Sequence, residues 1–183
     1  SKVKIINTAN IISFFRLFSV PIILLMILED KMKIAFWIFI FASITDIFDG
    51  YLARKLKIVT EFGKILDPVS DKILIFSILI ALSYKSLIEL PIVVIIVLRD
   101  FIILLGAVLS ILLKKKINYS PLKIGKITFF FQIIFVGMLL CNYANFFDFE
   151  VLIKYSGLFI IYLTFISGIL YLIRWLQEIL GNL

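Results

Sequence analysis

Six long apolar stretches, separated by short clusters of charged or turn-forming residues, dominate the pattern of hydrophobic and polar positions along the chain. A bilayer core is crossed by an α-helix of about 20 mostly apolar residues, so the pattern predicts six transmembrane helices. The connections are short, and we therefore predict one domain over residues 1–183. The predicted helices cover about 10–28, 34–53, 64–84, 90–113, 122–142 and 152–174.

Composition supports this all-α membrane interpretation. Of the 183 residues, 63% are hydrophobic and 17% are charged, whereas a soluble domain is about half apolar and a quarter charged. The first stretch contains Arg16, continues past Pro21 and lacks a small-residue cleavage site after it. We therefore expect a retained helix there rather than a secretory signal.

Lysine and arginine are unequally distributed between the two sides of this arrangement. Short loops rich in these residues favour the cytoplasm, so we predict a multi-pass cell-membrane protein with both termini and the 46–71 segment at the cytoplasmic face. The formal net charge of +7 suits anionic lipid headgroups and phosphorylated substrates, and we expect no nucleic-acid partner. The side predicted to be cytoplasmic carries Lys2, Lys4, Arg54, Lys55, Lys57, Lys64, Lys114, Lys115, Lys116, Lys123, Lys126 and Arg174.

Four aspartates lie close together in this otherwise apolar sequence. Asp46 and Asp49 are spaced i to i+3, and Asp67 and Asp71 are spaced i to i+4, so the carboxylates of each pair share a helix face. Ionisable residues within or beside spanning helices are energetically costly and mark functional sites. One or two of these acids could simply solvate a cytoplasmic loop, but the paired spacing favours convergence on one site.

Metal ions held by carboxylates are the chemistry that this composition favours. The chain has no histidine and one cysteine, which excludes the commonest general base and the usual imidazole or thiolate zinc sites. Carboxylate oxygens suit magnesium, manganese or calcium, and two such ions would neutralise four acids. We predict a two-metal phosphoryl-transfer site.

Small residues and one arginine surround the aspartates. Gly50, Ala53 and Gly63 would let a ligand or a helix approach the backbone closely. Arg54 follows Gly50 by four residues on the same helix face, where a guanidinium could hold a phosphate, pair with a carboxylate or anchor the helix at the headgroup layer.

The full stretch resembles the signature of the CDP-alcohol phosphotransferase family at all eight positions of that signature. It reads Asp46-x2-Asp49-Gly50-x2-Ala53-Arg54-x8-Gly63-x3-Asp67-x3-Asp71. The resemblance implies six transmembrane helices around a polar cavity open to the cytoplasm, and a homodimer. It also implies transfer of a phosphatidyl-type group from a CDP-linked lipid to an alcohol, with release of CMP.

Residue roles follow from the same resemblance. Asp46, Asp49 and Asp67 would bind two Mg²⁺ or Mn²⁺ ions, and Asp71 would either complete the dinuclear site or act as the general base, the role that we favour. Asp67 and Asp71 are thus the expected catalytic residues. The residues expected to bind the CDP-lipid are Ala9, Asn10, Ile11, Ile12, Gly50, Ala53, Arg54, Thr60 and Gly63.

The amino-terminal part of that set rests on a shorter motif. Residues 7–16, with Asn10, Ser13 and Arg16, resemble the opening of bacterial phosphatidylglycerophosphate synthases. The chain departs from that pattern at Thr8, Ala9 and Ser13. Asn10 could instead cap the first helix, because asparagine accepts hydrogen bonds from first-turn amides.

The acceptor is expected to bind at Arg99 and Lys126, by resemblance to residues that hold the acceptor phosphate. Glycerol 3-phosphate and CDP-diacylglycerol are the favoured substrates. Asp100 replaces a glutamate common in phosphatidylglycerophosphate synthases, so phosphatidylglycerol, as in cardiolipin synthases, or an inositol phosphate stays open as the acceptor. An ion pair is the structural alternative for Arg99 and Asp100. A divalent-cation transporter is the alternative from another class, although acids are nearly absent from the outer halves of the stretches.

Overall fold

A computed structural model describes the backbone of residues 8–55, 61–112 and 122–180, and the side chains of 15–45, 70–103 and 122–177. These ranges form six α-helices without a strand, which confirms the predicted number and order of helices. α6 continues past the predicted end at 174, because leucine, glutamine and glutamate extend the helix beyond its apolar stretch. The helices are α1 (Thr8–Leu28), α2 (Met32–Lys55), α3 (Glu61–Tyr84), α4 (Leu90–Leu112), α5 (Lys123–Tyr143) and α6 (Glu150–Leu180).

Large apolar side chains are exposed along these helices. In the described part of the chain, α5 and the Glu150–Gln177 segment of α6 are long and apolar enough to cross a membrane. Phe18 and Val151 are more than two-thirds exposed, at 71% and 72%. Contiguous apolar surface of this kind suits lipid rather than water and indicates a membrane protein. That all six helices span the bilayer stays a prediction.

The chain divides into two compact units. Residues 1–87 and 136–149 form the first, which contains α1 to α3 and the end of α5. Residues 88–135 and 150–183 form the second, with α4, the start of α5 and α6. The single domain over 1–183 stays a prediction.

Three helices of the first unit end in the same type of turn. The backbone N–H groups of Lys31, Leu87 and Phe146 donate to carbonyls five residues earlier, at 2.8, 2.9 and 3.2 Å. The residue before each donor, Asp30, Ser86 or Asn145, has a φ of 57–60°. These are Schellman caps, in which a left-handed residue satisfies the last helical carbonyls. Because no cap residue is a glycine, the usual sequence signal for such a turn is missing.

α1 packs against both α2 and α3 in the first unit. Two ion pairs join α1 or the turn after it to α3: Arg16 with Asp71, and Asp30 with Lys85. Each pair joins residues 55 positions apart, so the two helices run parallel in one register. Fully buried apolar residues, including Ile23, Ile27, Ile78 and Leu82, supply the core of this unit.

α4 and α6 pack together in the second unit. Gly157 of α6 lies against Ile92 of α4 and Phe135 of α5, while Gly168, further along α6, lies against Arg99. α4 and α6 therefore run parallel. Phe131 of α5 contacts Phe159 of α6 with their ring centroids 5.2 Å apart.

Candidate functional site

Both predicted aspartate pairs lie on helices. Asp46 and Asp49 belong to the last turns of α2, and Asp67 and Asp71 to the first half of α3. The helical backbone at these positions confirms that each pair shares one helix face. The side chains of Asp46, Asp49 and Asp67 lie outside the described residues, whereas the Asp71 side chain is described and is 22% exposed.

The predicted CDP-lipid residues lie on three helices, except Thr60, which lies outside the described residues. Gly50, Ala53 and Arg54 are on α2, and Gly63 is in the first turn of α3. Ala9, Asn10, Ile11 and Ile12 are in the first turns of α1, so the three sets belong to the unit that contains the aspartates. Their side chains are not among those described, and their roles stay predictions.

Asp71 is paired with Arg16 of α1. The Arg16 guanidinium donates to Asp71 Oδ1, and the Arg16 side chain is only 3% exposed. Ser19 Oγ donates to the Arg16 carbonyl oxygen at 2.6 Å, one turn further along α1. The sequence places Arg16 in the amino-terminal motif expected to touch the CDP-lipid, but it does not predict the pairing with Asp71. A charged residue inside the first apolar stretch was the available signal, because such a residue needs a partner.

The donor set suits a hard divalent cation. Four aspartates in two helical pairs supply carboxylate oxygens, the ligands that magnesium and manganese prefer. Among the described side chains no group of three or more potential metal ligands is found. The side chains of Asp46, Asp49 and Asp67 lie outside the described residues, so the fit to a metal ion depends on ligand chemistry and helical register.

Arg99 and Asp100 are both buried in the second unit, at 8% and 0% exposure. The Arg99 guanidinium donates to the Asp100 carboxylate and to the Ser167 hydroxyl of α6. The ion pair considered as the alternative is therefore present, because the long arginine side chain reaches its neighbour. The Arg99 guanidinium also lies 5.6 Å from the centroid of the Tyr171 ring, within the range of a cation–π contact.

Gly125 lies against this cationic group. A Cβ at Gly125 would lie 2.8 Å from the Tyr171 hydroxyl and 3.2 Å from Arg99 Nη2. Tyr171 itself accepts a hydrogen bond from the Leu122 backbone N–H at 2.9 Å. The neighbouring Lys126, the second predicted acceptor residue, is exposed. Tyr171 was missed by sequence reasoning, since an apolar helix with a tyrosine gives no specific signal.

A buried polar face continues from this group along α5 and α6. Thr128, Gln132, Thr164 and Ser167 are each fully buried. Thr128 donates to the Ile124 carbonyl at 2.8 Å. Both amide atoms of Gln132 and the hydroxyl of Thr164 have no hydrogen-bond partner within the part of the chain that the structure describes. Buried polar groups are normally paired, so these atoms are suited to a polar ligand or water.

An apolar groove runs between α1 and α2 in the first unit. Among the described side chains its lining reaches as far as Ile44, two residues before Asp46, and Ser19 is the one polar member. Phe15 and Phe41 meet within it edge to face, with centroids 6.2 Å apart. The groove therefore offers hydrocarbon-compatible surface along the helix that carries the first aspartate pair.

The sequence profile of the CDP-alcohol phosphatidyltransferase family matches residues 6–176 of the chain. A protein of Aquifex aeolicus is 31% identical over 173 residues, or 93% of each chain. It is named CDP-diacylglycerol–glycerol-3-phosphate 3-phosphatidyltransferase. A protein of the same name from Rickettsia felis is 33% identical, over 73% of this chain and 75% of its own. A probable phosphatidylglycerophosphate synthase of Mycobacterium tuberculosis is 33% identical, over 98% of this chain and 87% of its own.

Proposed function

Since the chain belongs to the CDP-alcohol phosphatidyltransferase family, we propose that it transfers a phosphatidyl group from CDP-diacylglycerol to sn-glycerol 3-phosphate. The products are phosphatidylglycerophosphate and CMP. The observation that carries this proposal is the near full-length similarity to proteins named for that reaction. The helical register of the two aspartate pairs supplies the carboxylate chemistry that the reaction needs.

The donor half of the reaction is assigned to the first unit. Asp46, Asp49 and Asp67 would hold two Mg²⁺ or Mn²⁺ ions by their carboxylate oxygens. When bound, such ions neutralise the pyrophosphate charge and stabilise the departing CMP. Gly50 and Ala53 would leave room beside these ligands, and Arg54 would hold a phosphate.

Asp71 is the general base in this proposal. The acceptor hydroxyl oxygen forms a bond to the β-phosphorus of CDP-diacylglycerol as the bond from that phosphorus to the CMP oxygen breaks. The hydroxyl proton passes to the Asp71 carboxylate, and the electron pair of the broken bond leaves with CMP. The ion pair with Arg16 constrains the orientation of the Asp71 carboxylate for this step, while the carboxylate stays partly exposed.

The acceptor half is assigned to the second unit. Arg99 and Lys126 would bind the phosphate of glycerol 3-phosphate through charge-assisted hydrogen bonds. The Gln132 amide and the Thr164 hydroxyl, which have no hydrogen-bond partner among the described residues, support a hydroxylated acceptor. By helical spacing Gln132 lies on the same α5 face as Gly125, and Thr164 lies on the same α6 face as Ser167. The buried Ser167 hydroxyl accepts a hydrogen bond from Arg99.

The membrane setting of the donor lipid agrees with the exposed apolar surface of the chain. The α1–α2 groove is suited to a hydrocarbon chain of CDP-diacylglycerol, because its described lining is apolar apart from Ser19 and reaches Ile44, two residues from Asp46. We further propose six spanning helices, a polar cavity open to the cytoplasm and a homodimer, on the strength of the family relationship and the basic residues of one set of loops.

An acceptor panel tests the proposed reaction. Purified protein in detergent would be given CDP-diacylglycerol, Mn²⁺ and one acceptor at a time: glycerol 3-phosphate, phosphatidylglycerol or inositol phosphate. We expect CMP release and a new anionic lipid with glycerol 3-phosphate only. CMP release confined to another acceptor would overturn the substrate assignment but keep the family chemistry, whereas Mn²⁺ flux into proteoliposomes without CMP release would favour a cation transporter.

A further inference from the structure

We propose that Arg16 is a positioning residue for Asp71, which it holds through Oδ1 so that Oδ2 faces the acceptor hydroxyl. The inference rests on the proposed function, in which Asp71 is the base. Mn²⁺ binding by an Arg16 variant separates the two roles considered for Asp71, because a displaced metal ligand would weaken Mn²⁺ binding whereas a displaced base would not. The geometry that points to the positioning role is the contact between Arg16 and Asp71 Oδ1.

The Arg16 guanidinium is held within the protein rather than at the surface. Its side chain is 3% exposed, compared with 22% for Asp71. A buried guanidinium remains charged, so a fixed anionic partner is strongly favoured. The result is an ion pair in which the arginine is fixed by packing and the carboxylate retains access to solvent.

Helix packing fixes the arginine in turn. α1 packs on α3, and the buried residues Ser19, Val20 and Ile23 follow Arg16 within two turns of α1. On α3, Ser70, Leu74 and Ile75 around Asp71 are also buried. Both partners therefore extend from packed helix segments, which is the arrangement that limits the movement of a catalytic group.

The use of one carboxylate oxygen has a chemical consequence. An ionised carboxylate has two oxygens and can accept a hydrogen bond at each. With Oδ1 engaged by Arg16, the other oxygen can accept the acceptor hydroxyl proton. Orientation of this kind affects the chemical step, and a small displacement of a reacting group is enough to lower turnover about 100-fold.

The same helix pair offers a matched control. Lys85 of α3 pairs with Asp30, and the residues of this pair are separated by the same 55 positions as Arg16 and Asp71. Asp30 is 74% exposed, so the control pair is largely at the surface. Lys85→Gln removes a cation from the same parallel helix pair without touching the proposed catalytic residues.

The test compares Arg16→Lys, Asp71→Glu, their double variant and Lys85→Gln. Arg16→Lys keeps the buried charge, and hence the fold, but loses the planar guanidinium whose Nη1 contacts Oδ1. We expect its kcat to fall about 10- to 100-fold, with KM for CDP-diacylglycerol within about threefold of wild type. Mn²⁺ binding, measured from the free-ion electron paramagnetic resonance signal, should change by less than about threefold. The unfolding temperature should stay close to that of wild type, and Lys85→Gln should keep wild-type kcat.

The double variant shows whether Arg16 acts through Asp71. If it does, the double variant should be no more than about threefold slower than the slower single variant, because both changes disturb one unit. Multiplied losses, an unchanged kcat in Arg16→Lys, a loss confined to KM for CDP-diacylglycerol, or weaker Mn²⁺ binding would each overturn the positioning role. Absence of CMP release by the wild-type protein would instead overturn the proposed function.

Discussion

At the scale of single residues, Gly125 shows why a small residue begins the fifth helix. The Tyr171 hydroxyl and the Arg99 guanidinium both occupy the space that a side chain at Gly125 would need. Since Tyr171 also accepts the Leu122 N–H, a methyl group at 125 would displace the hydroxyl and break that bond. The Arg99 guanidinium would be displaced together with the Tyr171 hydroxyl, although Arg99 lies far from residue 125 in sequence.

Gly125→Ala should therefore raise KM for glycerol 3-phosphate about tenfold, because a displaced Arg99 would lose one charge-assisted hydrogen bond to the acceptor phosphate. Gly168→Ala is the matched control, since its Cβ would lie 3.7 Å from Arg99 Cγ, an ordinary contact. Steady-state kinetics on both variants provides the measurement. Equal KM values in the two variants would show that the acceptor phosphate does not depend on this packing.

At the scale of helices and turns, sequence reasoning found the elements but not the contacts between them. Each apolar stretch is about as long as a membrane is thick, so its two ends could be predicted to within a few residues for most helices. The spacing of the aspartates could also be read from the sequence, because it depends only on residues three or four positions apart. The Arg16–Asp71 pair joins residues 55 positions apart, and no local pattern specifies such a pairing. The Schellman turns were also hidden, because Asp30, Ser86 and Asn145 stand where glycine is usual.

Ser86→Gly should stabilise the protein by about 0.5–1 kcal/mol, because glycine adopts the left-handed conformation at that position without steric cost. Ser83→Gly, three residues earlier and in the last turn of α3, should destabilise it by up to about 1 kcal/mol, since glycine is unfavourable at helical positions. Apparent unfolding temperatures in one detergent compare the two variants. A decrease for both would contradict the role assigned to the turn at Ser86.

At the scale of the whole molecule, orientation in the membrane decides whether the proposed site meets its water-soluble substrate. The turns at Asp30, Ser86 and Asn145 follow α1, α3 and α5, whereas the basic connections lie after α2 and α4. The predicted orientation places the basic connections and the aspartates in the cytoplasm. Glycerol 3-phosphate and CMP would then enter and leave on the cytoplasmic side.

Cysteine labelling tests this orientation. Cys141 is the single cysteine of the chain, so Cys141→Ala gives a background into which Ser86→Cys or Lys123→Cys is introduced. Both positions are exposed. In intact bacterial cells a membrane-impermeant maleimide should label the Ser86→Cys protein, and should label the Lys123→Cys protein only after the membrane is permeabilised. The reverse pattern would place the site on the outer face.

The aspartate stretch is proposed to transfer the phosphatidyl group, with Asp71 taking the proton of the acceptor hydroxyl. The most direct measurement is CMP release from CDP-diacylglycerol by wild type and by Asp71→Asn, together with CDP-diacylglycerol binding by both, at saturating Mn²⁺ and glycerol 3-phosphate. We expect a loss of turnover of about 10²-fold or more, the range for removal of a general base, with lipid binding largely retained. Wild-type turnover in Asp71→Asn would contradict the role of Asp71 as the general base. Loss of lipid binding would make Asp71 chiefly a metal ligand.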